Sequence, residues 1–216
     1  MKVFQGLVVF LLCFCLSRTG IAQIENVAVF GTMSSHVADN FQKAAFQLGT
    51  ILGKEKKTLI YNATTSGLSA SVFQGAIKEN ARIVGVTTSD SLDKNCPQNH
   101  VCRQNELVIT ATQTEQRLKM YETADVIVIM PGGWETLAAF SDFVSLVEQE
   151  EQSKKPVVFL NPNHYWDDFQ YQTDEMKRQH ILTDKQLDYI VFVEKSRDVL
   201  STAMKINKKI NQKKTR

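Results

Sequence analysis

The stretch VIVIMPGGWETLAAF, residues 126–140, constrains the fold of this chain more than any other segment. Its first five residues form an unbroken apolar run before Pro131, which is typical of a central parallel strand covered on both faces. After Gly132 and Gly133, apolar residues recur at helical spacing, so a helix is expected to begin there. Backbone N–H groups in such a turn can approach a ligand, and a helix N-terminus favours an anion. The same glycines would also suit a tight turn that binds nothing.

Strand and helix patterns alternate along the rest of the chain. Strands are predicted at residues 26–31, 58–61, 82–88, 106–112, 156–161 and 189–194, with helices between them. Ser34 or Ser35 is expected to cap the first helix, over residues 36–54, and residues 89–105 are expected to form a long loop. This alternation predicts one α/β domain with a doubly wound, mostly parallel sheet and helices on both faces.

The first 22 residues have the pattern of a secretory signal peptide. Residues 7–16 form an apolar run too short to span a bilayer, and small residues at 20–22 offer a cleavage point before Gln23. We therefore expect an exported protein, secreted or periplasmic, with no membrane contact once the signal is removed; the alternative is an uncleaved anchor.

The folded domain is expected over residues 23–204. Residues 205–216 carry six basic residues and no acid, which predicts a solvated, frayed tail.

The charge and cysteine content limit which ligands and cross-links this chain is expected to have. Removal of Lys2 and Arg18 with the signal leaves 23 basic and 23 acidic residues, which argues against binding to nucleic acid. Cys96 and Cys102 remain, and in an oxidising compartment they are expected to form a disulfide. The alternatives are two free thiols, or zinc ligands with His100. No second ligand pair follows at usable spacing, so no metal is expected.

Several segments, in this order and spacing, resemble one known family: VFGTMSS, TLIYNATTSGL, RIVGV, EQRLKM, MPGGWETL and KPVVFLNPNHYWDDF. The chain is similar to the Lonely Guy (LOG) phosphoribohydrolases, also described as possible lysine decarboxylases, over about residues 27–203. The resemblance implies a Rossmann-like fold and hydrolysis of the N-glycosidic bond of a nucleoside 5′-monophosphate. It also implies a small anionic ligand and a homodimer. Nothing resembles a lysine site for pyridoxal phosphate, so no cofactor is expected.

The resemblance also assigns a binding site. In the family pattern PGGxGTxxE, the glycines and threonine hold the phosphate and the glutamate lies at the ribose, while a Glu-Arg-Lys helix supplies a catalytic arginine. Carried over to matching positions, the substrate-binding residues are Gly31, Thr32, Gly67, Arg117, Gly132, Gly133, Trp134 and Thr136. His164, Tyr165 and Trp166 are further candidates for the pocket lining, although Tyr165 and Trp166 are expected to pack against the following helix.

The sequence departs from the family pattern at positions that bind the phosphate or take part in catalysis. The third glycine of the pattern is Glu135, its glutamate falls on Ala139, and its catalytic arginine falls on Gln116. The family lysine becomes Arg117, and residues 62–66 replace a glycine run. The mechanism of the family therefore cannot simply be carried over to this chain.

Glu135 has two opposing interpretations. It is the candidate catalytic residue if it replaces the lost carboxylate, and Asp142, nearly one turn beyond Ala139, is a weaker candidate. Alternatively, Glu135 repels a phosphate: two unit charges about 4 Å apart repel by about 4 kcal/mol at an effective dielectric of about 20. The sequence therefore predicts either a diverged phosphoribohydrolase or a non-catalytic exported protein that binds a small ligand or a partner.

Overall fold

A computed structural model of the protein describes residues 23–95 and 106–214. The strands in these ranges are β1 Asn26–Phe30, β2 Thr58–Tyr61, β3 Ile83–Thr88, β4 Glu106–Thr110, β5 Val126–Ile129, β6 Val157–Leu160 and β7 Ile190–Val193. The helices are α1 Asp39–Lys54, α2 Gly67–Lys78, α3 Ser89–Asn95, α4 Gln113–Thr123, α5 Trp134–Glu148, α6 Asp167–Arg178, α7 Asp184–Leu187 and α8 Val199–Lys214. The predicted signal segment and the pair Cys96 and Cys102 lie outside the described residues.

The strands form a single parallel sheet in the order β4-β3-β2-β1-β5-β6-β7. β1 is central: Val27 lies opposite Leu59 of β2 on one side and opposite Val126 of β5 on the other. Helices connect successive strands, as a parallel sheet requires. This architecture confirms the predicted Rossmann-like, doubly wound α/β fold.

The core has two layers, one on each face of the sheet. Side chains alternate along β1, so that Val27 and Val29 pack with α1, α2 and the start of α8, whereas Ala28 and Phe30 pack with α4 and α5. The strands of the sheet centre are buried on both faces, which explains why β5 reads as a continuous apolar run.

Aromatic rings concentrate in the layer that contains α5 and α6. Phe159 of β6 is fully buried at the centre of this group. Its ring centroid lies 4.7 Å from that of Phe192, 4.9 Å from Phe140, 5.3 Å from Trp166 and 5.4 Å from Phe169. Offset and edge-to-face contacts of this kind are favourable beyond the area they bury, so the group fixes β6, β7, α5 and α6 together.

Some predicted boundaries are wrong. The first helix begins at Asp39, and its N-cap residue, Ala38, makes no side-chain cap hydrogen bond. The Ser34 hydroxyl accepts instead from the N–H of His36 at 3.3 Å, so this serine stabilises a loop turn. Residues 89–95 form α3 and not a loop, because the Thr88 hydroxyl accepts from the N–H of Ser91 at 3.3 Å and starts a helical turn.

The basic C-terminal segment is helical as far as the structure describes it. α8 continues to Lys214, where a frayed tail had been predicted from residue 205 onwards. Ile206 packs against the α4–α5 layer, and Ile210 is buried within it. The burial of these side chains explains why the helix persists among so many lysines.

None of the helices in the described ranges is long and apolar enough to cross a membrane.

Candidate functional site

A cleft of about 390 Å³ opens at the carboxyl ends of β1 and β5. The strand order reverses between these two strands, since β2 to β4 extend on one side of β1 and β6 and β7 extend beyond β5. Ligands of open α/β sheets bind in the crevice at such a switch point. The lining residues are Phe30, Gly31, Met33, Asn62, Ser91, Gln113, Gln116, Arg117, Met120, Trp134, Glu135, Thr136, Ala138 and Ala139.

The turn between β5 and α5 is built around Gly132. A Cβ atom on Gly132 would lie 2.0 Å from Oγ1 of Thr136, so this position accepts only glycine. The Tyr165 hydroxyl donates a 2.8 Å hydrogen bond to the Gly132 carbonyl and holds the turn from its outer side. A Cβ atom on Gly133 would have no neighbour within 4 Å. Close packing therefore explains why residue 132 is a glycine. At Gly133 there is open space at the start of α5, so packing does not require a glycine there.

The β1–α1 and β2–α2 loops meet at Thr32 and Gly67. Gly67 has φ of 71°, a left-handed conformation that favours glycine, and a Cβ atom there would lie 2.1 Å from the Thr32 carbonyl oxygen. The N–H of Leu68 donates to the same oxygen at 2.9 Å, and the Thr32 hydroxyl accepts from the N–H of Ser34 at 3.1 Å. Both residues thus connect loops without lining the cleft, whereas Gly31 lines it.

Gln116 and Arg117 are two of the α4 residues that line the cleft, and the side chains of both have hydrogen-bond partners in the protein. Nε2 of Gln116 donates to the Val86 carbonyl of β3 at 2.6 Å. Nε of Arg117 donates to Oδ2 of Asp142 on α5 at 2.7 Å. The Arg117 and Asp142 side chains are 25% and 41% exposed, so water screens this ion pair substantially. Arg117 therefore shares its charge with a carboxylate before any ligand binds.

Ala139 and Tyr121 join α5 to α4 behind the cleft. Ala139 lines the cleft and is buried, and its carbonyl accepts a 2.6 Å hydrogen bond from the Tyr121 hydroxyl. Burial raises the pKa of Tyr121 and the charge of Asp142 raises it further, while Arg117 acts in the opposite direction. The phenol consequently stays protonated at neutral pH and remains a donor that fixes the spacing of the two helices.

The first turn of α5 places an indole and a carboxylate at the cleft. Trp134 is the first residue of the helix, and it is 87% exposed. Glu135 follows it and is also exposed. A carboxylate in the first turn of a helix gains about 0.3–1 kcal/mol from the helix dipole. Glu135 is the acidic residue among the cleft-lining positions in the described part of the chain.

The structure brings some of the predicted site residues together. Gly31, Arg117, Trp134, Glu135 and Thr136 line the cleft, whereas Gly132 and Gly133 form the turn beside it. The substituted positions Gln116 and Ala139 also line it, which places the departures from the family pattern inside the site.

Asn62, Ser91 and Gln113 also line the cleft, although the sequence patterns did not predict them as site residues. Asn62 directly follows β2, and Ser91 lies in α3 just after β3. Positions beyond the carboxyl ends of parallel strands meet at one edge of the sheet, and this rule was an available signal for both residues. Oδ1 of Asn62 is buried and has no hydrogen-bond partner among the described residues.

Of the aromatic residues in the loop after β6, some are buried in the core and others lie at the surface. Trp166 is buried and packs edge-to-face on Phe169 of α6 with ring centroids 5.9 Å apart, as predicted. Tyr165 is 43% exposed and contacts the ring of Phe41 of α1 instead of packing on α6. His164 lies 3.1 Å from Asp167 at the surface. In residues 23–95 and 106–214, no group of three or more His, Cys, Asp and Glu side chains could hold a metal ion.

Fold and cleft together define a Rossmann-like α/β protein with a cleft at the switch point of its parallel sheet. A sequence model of the family described as "Possible lysine decarboxylase" matches residues 70–203, more than half of the chain. The chain therefore belongs to this family, which is the LOG family.

Relatives of known name support the same family at low identity. A cytokinin riboside 5′-monophosphate phosphoribohydrolase from Arabidopsis thaliana is 25% identical over 145 residues, which is 67% of this chain and 65% of the relative. A second Arabidopsis thaliana protein of the same description is 23% identical over 67% of this chain and 62% of its own length. The chain thus spans less than two thirds of the length of these relatives.

Solved structures share the fold. The molybdenum cofactor binding protein of Rippkaea orientalis superposes with a TM-score of 0.63 at 16% identity, covering 86% of this chain and 98% of that protein. The Moco carrier protein of Chlamydomonas reinhardtii gives a TM-score of 0.60 at 16% identity, covering 87% and 99%. At this identity the likeness establishes the architecture alone.

Proposed function

We propose that this protein hydrolyses the N-glycosidic bond of a nucleoside or a nucleoside 5′-monophosphate in the cleft between β1 and β5. The observation that carries the proposal is that Glu135 lines this cleft together with Arg117 and Thr136. The relatives from Arabidopsis thaliana are named for a reaction of this kind on a cytokinin riboside 5′-monophosphate. The position of the cleft at the switch point also supports a ligand of nucleotide type.

The reaction needs a carboxylate and a water molecule. As the C1′–N bond breaks, positive oxocarbenium character develops on the ribose, and a nearby carboxylate stabilises it. The water oxygen bonds to C1′, one water proton leaves for the departing base, and the bonding electron pair of the C1′–N bond goes with the base. In this proposal Glu135, which lines the cleft, accepts that proton and passes it on. The products are a free base and ribose, or ribose 5-phosphate, so the atoms balance with water as co-reactant.

A second candidate is a binding protein without turnover. Ala139 and Gln116 support it, because both line the cleft at positions where the family pattern carries its glutamate and its catalytic arginine. A cleft that keeps its shape but loses these groups would still bind a ligand. The two candidates differ in one measurable property, the release of base.

The test is base release from adenosine and from AMP by the purified protein, followed by chromatography. Under the first proposal, Glu135→Gln lowers the rate by about a hundredfold or more, because the catalytic carboxylate is lost. Glu151→Gln, at an exposed acid beyond the end of α5, is the matched control and should leave the rate unchanged. Binding without release supports the second candidate, and release that persists in Glu135→Gln excludes Glu135 as the catalytic residue.

A further inference from the structure

The cleft carries little positive charge with which to bind a phosphate group. Arg117 is the cation among its described lining residues, and its Nε atom already donates to Asp142 at 2.7 Å. Glu135 adds a negative charge in the first turn of α5, where a helix N-terminus would otherwise favour an anion. A phosphate dianion in this cleft would therefore meet one cation that is already paired and one free carboxylate.

Uncharged hydrogen-bonding groups dominate the polar lining instead. Asn62 and Gln113 contribute side-chain amides, and Ser91 and Thr136 contribute hydroxyls. Gln116 contributes a further amide, whose Nε2 already donates to the Val86 carbonyl. These groups can donate to and accept from sugar hydroxyls and base edges without any change of charge. The polar part of the cleft thus matches a neutral ligand that has both donors and acceptors.

The Asn62 side chain points to a ligand that donates a hydrogen bond. Its Oδ1 atom is buried and has no hydrogen-bond donor among the described protein groups. Buried acceptors in native proteins nearly always have a partner, which a ligand or a water molecule must supply here. Ribose hydroxyls and exocyclic amino groups of bases can supply this donor, in a nucleoside and in its monophosphate alike.

Trp134 offers a flat apolar surface at the cleft. Its side chain is 87% exposed, in contrast to Trp166, which is 4% exposed and packed into the core. An exposed indole that lines a cleft gains by stacking on a planar ring, and every nucleobase has such a face. The exposure of Trp134 is therefore consistent with a base as the planar part of the ligand.

We propose that the cleft binds an unphosphorylated nucleoside in preference to the nucleoside 5′-monophosphate, with Trp134 stacked on the base and Asn62 accepting a hydrogen bond from the ligand. This inference rests on the proposed function, because it names the substrate class of the same site. Glu135 then has two roles, as the carboxylate beside the ribose and as the group that discriminates against a phosphate.

The test is a calorimetric titration of the full-length protein with adenosine and with AMP. Adenosine is expected to bind at least about tenfold more tightly than AMP. Glu135→Gln should raise the affinity for AMP about tenfold, because the phosphate then meets no carboxylate in the first turn of α5. Glu151→Gln, an exposed charge change outside the cleft, should alter neither affinity.

Trp134→Ala tests the stacking contact separately, at a side chain whose exposure makes unfolding of the variant unexpected. It should weaken adenosine binding about tenfold. AMP that binds as tightly as adenosine overturns the proposed preference, whereas a Trp134→Ala variant with unchanged affinity for adenosine overturns the proposed stacking contact. Adenosine that binds without base release leaves the preference standing and overturns only the hydrolase proposal. Binding of neither compound overturns both.

Discussion

Gly132 and Gly133 are adjacent residues with different structural requirements. We predict that Gly132→Ala lowers the free energy of unfolding by about 1–3 kcal/mol, because the new methyl group would overlap Oγ1 of Thr136 at 2.0 Å. Gly133→Ala should change it by about 0.5 kcal/mol or less, because the added methyl group meets open space. Urea denaturation of the two variants measures both values, and equal losses would contradict the packing described for the turn.

The same pair separates folding from ligand binding. Gly133→Ala keeps the fold but places a methyl group in the open space at the start of α5, where a ligand is proposed to approach the backbone. We predict weaker adenosine binding in Gly133→Ala at unchanged stability, as measured by calorimetry and thermal denaturation. Unchanged affinity would show that the ligand stays away from this turn.

At the scale of residues, the sequence locates the site better than it predicts the contacts within it. The positions of Gln116 and Ala139 could be inferred from the family pattern, and both line the cleft. The ion pair of Arg117 with Asp142 could not, because the two residues are 25 positions apart on different helices. Their distance depends on how α4 packs on α5, which no local pattern specifies.

Among the elements, β6 carries a fully buried aromatic side chain, Phe159. We predict that Phe159→Ala lowers the free energy of unfolding by about 3–5 kcal/mol, because Phe159 is fully buried and four aromatic rings surround it. Its removal leaves a cavity between β6, β7, α5 and α6 that these elements cannot close without moving. Urea denaturation followed by circular dichroism measures the loss.

Met204→Ala is the matched control for the Phe159 variant. Met204 is also a large apolar residue, but it lies on α8 and is 53% exposed. Its replacement should change the free energy of unfolding by about 0.5 kcal/mol or less. A Phe159→Ala variant that is no less stable than Met204→Ala would mean that the aromatic group does not hold these elements together.

The elements themselves were largely predictable, since their patterns are local. β5 reads as a buried strand because it is apolar throughout, and the helix after it begins where the glycines end. The start of α1 was not predictable from its serines, because Ser34 bonds within its own loop and Ala38 occupies the N-cap position. A capping side chain is a strong signal only when the helix begins next to it.

For the whole molecule, Asp188 connects the C-terminal helix to the edge of the sheet. Oδ2 of Asp188 accepts from Lys213 of α8 at 2.6 Å, and Oδ1 accepts from Lys154, before β6, at 3.2 Å. Burial tends to raise the pKa of Asp188, but the hydrogen bonds from the two lysines outweigh it and hold this pKa below its usual value. The ionised form is therefore stabilised in the folded state.

We predict that this carboxylate adds acid sensitivity to the fold. A carboxyl pKa that is lower in the folded than in the unfolded chain gives stability above about pH 4 that is lost as pH falls through the folded pKa. Asp188→Asn should lower the free energy of unfolding at neutral pH by about 1 kcal/mol and flatten its decline below about pH 4. Urea denaturation at several pH values measures both effects.

Asp174→Asn is the control for the acid experiment. Asp174 is exposed on α6, makes no close ion pair among the described residues, and attracts Lys177 and Arg178 only across solvent. Its replacement should leave both the neutral stability and the acid profile within about 0.5 kcal/mol of the parent protein. If Asp174→Asn and Asp188→Asn behave alike, the two lysines around Asp188 contribute nothing to the fold.

The parallel sheet also determines when during folding the cleft can exist. The central pair of strands joins Val27 to Val126, residues 99 positions apart in the sequence. Contacts over such separations form late, because the entropy of closing the intervening chain opposes them until much of the core is in place. The cleft lies at this pair of strands, so a folding intermediate containing only β1 to β4 would have no binding site. Ligand capture during refolding would therefore report the completion of the sheet, and not its beginning.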